Sequence, residues 1–134
     1  MKKSAITAAA LIIVFAAIGL GIWFAPVRPL KGCKPEDITM IKIYYINKDT
    51  MLTDEKEVRT IAENIYSCGA KRSAISFGRM GSVYKLGFYK GDECISTFSL
   101  CGEDCARDAF FFYSPINGSY CKDYLDTVAF KHLA

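Results

Sequence analysis

Histidine is almost absent from this chain, with His132 the single one in 134 residues. A structural zinc site takes four ligands, commonly as two close pairs. One histidine and one close pair of cysteines, Cys101 and Cys105, do not make that set, so no metal is expected. His132 has no partner at a motif spacing and reads as a solvated helix end, favourable against the helix dipole. A glycine-rich phosphate loop and a nucleophile elbow are both missing, so nothing calls for a cofactor or for an enzyme. A basic excess is missing too. Of the 17 basic side chains two are Lys2 and Lys3, which leaves 15 against the 14 acidic ones. A nucleic-acid binder would carry a basic stripe, and no nucleic-acid partner is expected.

Charge is missing altogether from Ser4 to Ala25, SAITAAALIIVFAAIGLGIWFA, a run of 22 residues without one ionisable side chain. At about 1.5 Å per residue it makes a helix roughly 33 Å long, enough to cross a hydrocarbon core of about 30 Å. A signal peptide has a shorter apolar run ending in a small-x-small site. Here the best such site, Ala17-Ile18-Gly19, lies inside the run. Leu30-Lys31-Gly32-Cys33 has the outline of a lipoprotein cleavage box, but a lysine interrupts it far from the apolar run. Trp23 and Phe24 stand where interfacial aromatics belong, and Pro26 and Pro29 end the helix. The expectation is therefore a retained single-pass anchor over residues 1–27, a tether over 28–37 and a domain over 38–134. The alternative is a domain secreted after signal cleavage. Lys2 and Lys3 nearly balance Arg28, Lys31 and Lys34 across the membrane, so the cysteines decide the orientation, placing the domain outside the cytoplasm. Ala17 and Gly21, four residues apart, offer a small-residue face to a second membrane helix.

Past the anchor, PVRPLKGCKPED holds three prolines and a glycine and reads as a segment in which no folded element starts. Ile38 to Asn47 reads as a strand with Ile41, Ile43 and Tyr45 inward, closed by the turn Asn47-Lys48-Asp49. Asp54 with Glu57 has capping-box spacing, and Val58, Ile61, Ala62, Ile65 and Cys68 recur at helical spacing up to Gly69. Residues 69–82 read as a loop with a short edge strand at Ala74 to Phe77. Tyr84, Leu86 and Phe88 alternate inward, Gly91-Asp92 signals a hairpin, and Ala109 to Tyr113 reads as a fourth strand. Ser119 then caps a last helix with Cys121, Tyr124, Leu125 and Val128 on its apolar side. The expected class is α+β: a membrane helix, then a four-stranded, mainly antiparallel sheet with two helices on one face, in the order β-α-β-β-β-α.

A lysine-started anchor, a strand like IKIYYIN, a helix opened by LTDEKEV and a YKLGFY meander resemble the small membrane-anchored or lipoprotein domains of unknown function of Gram-positive bacteria, over about residues 38–128. The resemblance implies location and fold and carries no chemistry.

Six cysteines, Cys33, Cys68, Cys94, Cys101, Cys105 and Cys121, beyond a membrane segment invite disulfides, though sequence does not choose among the pairings. Cys101 and Cys105 flank a loop that can bring them to bonding distance, and Cys68 and Cys121 lie on the apolar sides of two helices expected on one sheet face. The alternative is that they are buried free thiols acting as small hydrophobes. A thiol-disulfide exchange enzyme at Cys101 and Cys105 is the competing functional reading, against which stand the three-residue spacing and an acidic flank that raises a thiol pKa. Finally, Lys71, Arg72, Arg79, Lys85 and Lys90 fall in a stretch without an acid. Near a bilayer they suit an anionic lipid or wall polymer. The function expected is a membrane-anchored, non-catalytic binding or sensing domain.

Overall fold

The computed structural model describes residues 2–76 and 83–133. Helix α1 spans Lys2–Phe24, with no residue buried. Its apolar side chains face outward all round, Ile12 and Ile13 being 68% exposed. Among the described residues it is the one helix long and apolar enough to cross a membrane. Pro26 follows, and a proline cannot extend a helix.

The rest is α+β, built on one antiparallel sheet of β1 (Met40–Tyr45), β2 (Lys48–Leu52), β3 (Lys71–Ile75), β4 (Tyr84–Lys90), β5 (Glu93–Leu100), β6 (Ala106–Arg107) and β7 (Phe111–Ser114). Their order is β2-β1-β4-β5-β6-β7-β3, seven strands where the sequence pattern gave four, with three helices counting α1. Two of the additions carry little sequence signal. Strand β2 pairs with β1 from Tyr45↔Lys48 to Ile41↔Leu52, yet Leu52 is its only buried residue. Strand β6 is two residues long, held by β5 on one side and β7 on the other. The expected edge strand exists as β3, shifted to Lys71–Ile75, and Phe77 lies outside the described residues.

Alternation places Ile41, Ile43, Tyr84, Leu86, Phe88, Phe98, Leu100 and Tyr113 in one buried cluster. Lys42, Tyr44 and Lys85 occupy the opposite face. The Gly91-Asp92 turn joins β4 to β5 at Lys90↔Glu93 as expected, Gly91 taking φ +62°.

Helix α2 (Glu55–Cys68) covers the inner face with Val58, Ile61, Ala62 and Ile65. The Asp54 carboxylate accepts the Glu57 N–H at 3.0 Å, half of the expected capping box. The other half does not form, because the Glu57 carboxylate turns to the last helix. Gly69 ends α2 with φ +62° and ψ −165°, a region essentially restricted to glycine, and a Cβ there would meet Ile116 Cδ1 at 3.3 Å.

Helix α3 is Lys122–Leu133, and it is fastened to α2 at both ends. Glu57 accepts from Lys131 Nζ at 2.9 Å and contacts His132 Nε2 at 3.0 Å, so His132 is not a merely solvated helix end. At the other end Asn64 Oδ1 accepts the Cys121 N–H at 2.8 Å, and Asn64 Nδ2 donates to the Ser119 carbonyl at 3.1 Å. The role expected of the Ser119 side chain, serving the first N–H groups of α3, thus falls in part to Asn64. These contacts set α2 and α3 side by side and antiparallel, with Leu125, Val128 and Ala129 in the shared core.

The stretch read as a tether is not free. The Val27 N–H donates to the Ala70 carbonyl at 2.8 Å, Leu30 is 1% exposed within the core, and the Ser96 hydroxyl donates to the Pro29 carbonyl. A short 3-10 turn follows at Pro35–Asp37. Burying a leucine is worth about 2 kcal/mol, enough to fix a strap whose composition suggests a loop.

Candidate functional site

A groove of about 560 Å³ opens where the β1–β2 turn meets the start of β4 and the C-terminal half of α3, lined by Tyr45, Ile46, Asn47, Lys48, Tyr84, Asp126, Ala129 and Phe130. Its floor is aromatic, Tyr45 stacking on Tyr84 with centroids 5.2 Å apart. Its polar point is one pair. The Tyr84 hydroxyl donates to Asp126 Oδ1, while Lys122 Nζ holds Oδ2 at 3.0 Å. Burial first, and then the Asp126 carboxylate, push the Tyr84 hydroxyl well above its ordinary pKa. The Tyr84 hydrogen bond, aided by Lys122, holds Asp126 below the usual carboxylate range against the effect of burial. Both oxygens of Asp126 are thus engaged and its basicity is reduced, which makes it a weak proton acceptor.

The rim is unusual. Ile46 is 80% exposed and Phe130 79% exposed. Tyr45↔Lys48 leaves Ile46 and Asn47 as a two-residue turn, and Ile46, not Asn47, takes a positive φ, +56°. A positive φ at the first turn position alone is the type II′ pattern, whose first position favours glycine. A β-branched residue there is an outlier. None of Ile46, Tyr84, Asp126 or Phe130 stood out in the sequence as a site, and the one usable signal was an isoleucine immediately before Asn47-Lys48-Asp49, the tripeptide read as the turn although Lys48 and Asp49 belong to β2.

A second constellation joins the helix to the sheet. The Arg72 guanidinium donates through Nη1 to the carbonyls of Ile22 and Ala25, the latter at 3.2 Å. It lies 4.9 Å over the Phe111 ring. Trp23 meets the same ring edge-on at 5.9 Å. A cation on the last carbonyls of a helix satisfies orphan acceptors and opposes the dipole. Beside it Asp108 accepts the N–H groups of Phe110 and Phe111, each at 2.8 Å, and the Tyr113 hydroxyl. Burial raises the Asp108 pKa, but the Tyr113 hydroxyl, the two N–H groups and the Arg72 charge outweigh it and leave it lowered.

Four of the five basic residues singled out in the sequence lie among the described residues, and these fall in two separate sets. Lys71 and Arg72 are on β3, Lys85 and Lys90 on β4, with β5, β6 and β7 between them, so about four strand spacings, roughly 19 Å along the sheet, separate the two sets. Arg72 is committed to the helix end. Lys85 stands 5.6 Å over Tyr44, which Lys42 also approaches at 5.0 Å. Lys71 and Lys90 are exposed, and Arg79 lies outside the described residues.

All six cysteines are free thiols, and no disulfide is formed. Cys101 and Cys105 are neighbours on a tight turn, where the Cys105 carbonyl accepts the Cys101 N–H at 2.8 Å. Burial, with the Cys105 thiol beside it, raises the Cys101 pKa. Burial likewise pushes Cys121 up to about 12 and raises Cys68, whose thiol donates to the Ser119 carbonyl at 3.2 Å. Thiol exchange calls for a lowered pKa. Among the described residues no three His, Cys, Asp or Glu side chains are placed to hold a metal ion.

Comparison with protein-family models, with curated proteins and with solved structures finds no match for this chain.

Proposed function

We propose that the chain is a single-pass membrane protein whose small domain, held outside the cytoplasm, binds or senses a ligand in the Tyr84–Asp126 groove and performs no chemistry on it. The observation that carries this reading is Ile46. It is an apolar side chain, 80% exposed, in a turn position that suits glycine, and strain of about 1–3 kcal/mol of this kind clusters at binding and switch sites. With Phe130 opposite and a satisfied hydrogen-bonding pair beneath, the groove suits a ligand with an apolar body and one polar group directed at Asp126. Retention of the helix, in preference to cleavage and secretion, is supported by Arg72 and Phe111, because removing residues up to Ala25 strips these side chains of their partners at Ile22, Trp23 and Ala25. The thiol-exchange alternative draws no support from the raised Cys101 pKa. The resemblance to anchored domains of Gram-positive bacteria agrees with this placement.

Two measurements test the proposal. Protease added to sealed cells is expected to remove the domain; digestion only after permeabilisation reverses the orientation. Fluorinated fragments screened against the full chain in lipid nanodiscs are expected to include apolar binders whose signal is lost in Phe130→Ala. A library in which no fragment distinguishes parent from variant removes the groove as a site.

A further inference from the structure

The apolar helix does not leave the domain through a linker; its last turn lies against β3 and β7. Arg72 of β3 holds the carbonyls of Ile22 and Ala25, Trp23 touches Phe111 of β7, and one residue past Pro26 the strap pairs with the residue before β3 through Val27 and Ala70. The sheet edge at β3 is thereby fixed at the level where α1 ends. Among the described residues that edge carries exposed apolar side chains. Phe110, in the turn entering β7, is 72% exposed, Ile75 at the end of β3 is 51% exposed, and Phe24 at the end of α1 is 77% exposed. Ile75 pairs with Phe111, the residue that touches Trp23, and Phe110 is the next residue in the chain. Several polar groups of the turn are engaged by the protein itself. Asp108 takes the Phe110 and Phe111 N–H groups, and the Ser76 hydroxyl donates to the Ala109 carbonyl at 3.0 Å. A turn with the N–H groups of Phe110 and Phe111 tied back to Asp108 and phenylalanine outward suits the polar headgroup region. Lys71, exposed on β3, adds a cation at headgroup level.

We infer that the β3–β7 edge is a second membrane contact: Phe110 and Ile75 insert into the interfacial layer of the bilayer that α1 crosses, so that the domain lies on the membrane with the Tyr84–Asp126 groove turned away from it. The occupant follows from continuity, since the patch surrounds the exit of a helix long and apolar enough to span a bilayer. The orientation follows from α2. Its C-terminal end precedes Ala70 at the helix exit, while its N-terminal end meets Lys131 and His132 of α3 just past the groove residue Phe130. Its 14 residues separate the two sites by about 21 Å.

The inference rests on the proposed membrane anchor, and the experiment separates the two. The full chain is reconstituted in vesicles containing phospholipid brominated near the headgroup. Trp23, the sole tryptophan, reports on the helix in the parent. In a Trp23→Phe background, Phe110→Trp reports on the edge and Phe130→Trp on the groove; both positions are exposed, so neither change disturbs the core. Expected are quenching of the tryptophan at 110 comparable to that of Trp23, with blue-shifted emission, and no quenching at 130. Quenching of Trp23 without quenching at 110 overturns the inference and leaves the anchor standing. Equal quenching at 110 and 130 overturns it as well, since the domain then has no preferred face. Absence of quenching at Trp23 removes the anchor itself, and the inference with it.

Discussion

The Arg72 guanidinium caps the C-terminal end of the apolar helix through the Ile22 carbonyl, fifty residues away in the chain. Hydrogen bonds from a charged donor contribute about 1.5–3 kcal/mol when well shielded, and the half-buried Arg72 falls towards the lower end. Arg72→Ala is therefore expected to destabilise the full chain by about 1–2 kcal/mol and to expose the strap to trypsin at Arg28, Lys31 and Lys34. Arg72→Lys should recover only part of the protection, having a single donor centre and no planar fork to lie over Phe111. Equal tryptic rates in parent and variants would show that the cap holds nothing.

Ile46→Gly removes a Cβ from a turn position that resists one. The relief of native strain, less the entropy that glycine adds to the unfolded chain, leaves a stabilisation of about 1 kcal/mol, or roughly 4–8 °C in Tm for a domain this size. The same change should weaken fragment binding in the groove. A variant both less stable and still binding would contradict the assignment of Ile46.

Leu30→Ala separates a packed strap from a flexible tether. A side chain buried to 1% exposure should cost about 2–5 kcal/mol on truncation to alanine, measured by thermal or denaturant unfolding. A cost under about 0.5 kcal/mol is the surface value and would restore the tether.

Acid sensitivity follows from Asp108 and Asp126, both of which hold their carboxylates below the ordinary range. The folded state then binds fewer protons than the unfolded one near an unfolded pKa of about 3.9. The contribution is complete above that pH and is lost as pH falls towards the depressed folded values. Asp108→Asn should lower stability at pH 7 and flatten the acid limb below about pH 4. Parallel limbs in parent and variant would show that Asp108 carries no linkage.

Thiol labelling of the folded chain should rank the cysteines by burial. Cys94 is exposed and should react first; Cys68, buried, should react only on unfolding. Cys121, raised to about 12 by burial, should be slow until the pH is strongly alkaline. Rapid labelling of Cys68 would mean that the end of α2 opens in the native state.

The parts of this fold that could be read from the sequence are those in which each residue's environment is set by its near neighbours. Ile41 and Ile43, the Val58 to Ile65 series, and Tyr84, Leu86 and Phe88 all point inward as their periods require, and Gly91-Asp92 turns as its dipeptide predicts. Strand β2 was hidden because an edge strand with one buried side chain, Leu52, has no alternation to display. Strand β6 was hidden because two residues paired on both sides owe their conformation to β5 and β7. The strap was misread because prolines and lysines surround Leu30, whose burial depends on the sheet and helices assembled around it. Arg72 was read as a free cation for the same reason: its partners at Ile22 and Ala25 are about fifty residues distant. The groove was illegible because Ile46, Tyr84 and Phe130 meet only after β1, β4 and α3 come together.

Fastening residues 26–37 changes how far the domain can travel. Extended, a dozen residues would reach about 40 Å, letting the domain sweep a wide hemisphere and meet targets well away from its own membrane. With Val27 paired to Ala70 and Leu30 in the core, that hemisphere collapses to about the domain's own radius, roughly 13 Å. Capture at a distance is then closed to it. On the proposed membrane reading, any tilt of the helix is delivered to the domain and its groove without slack.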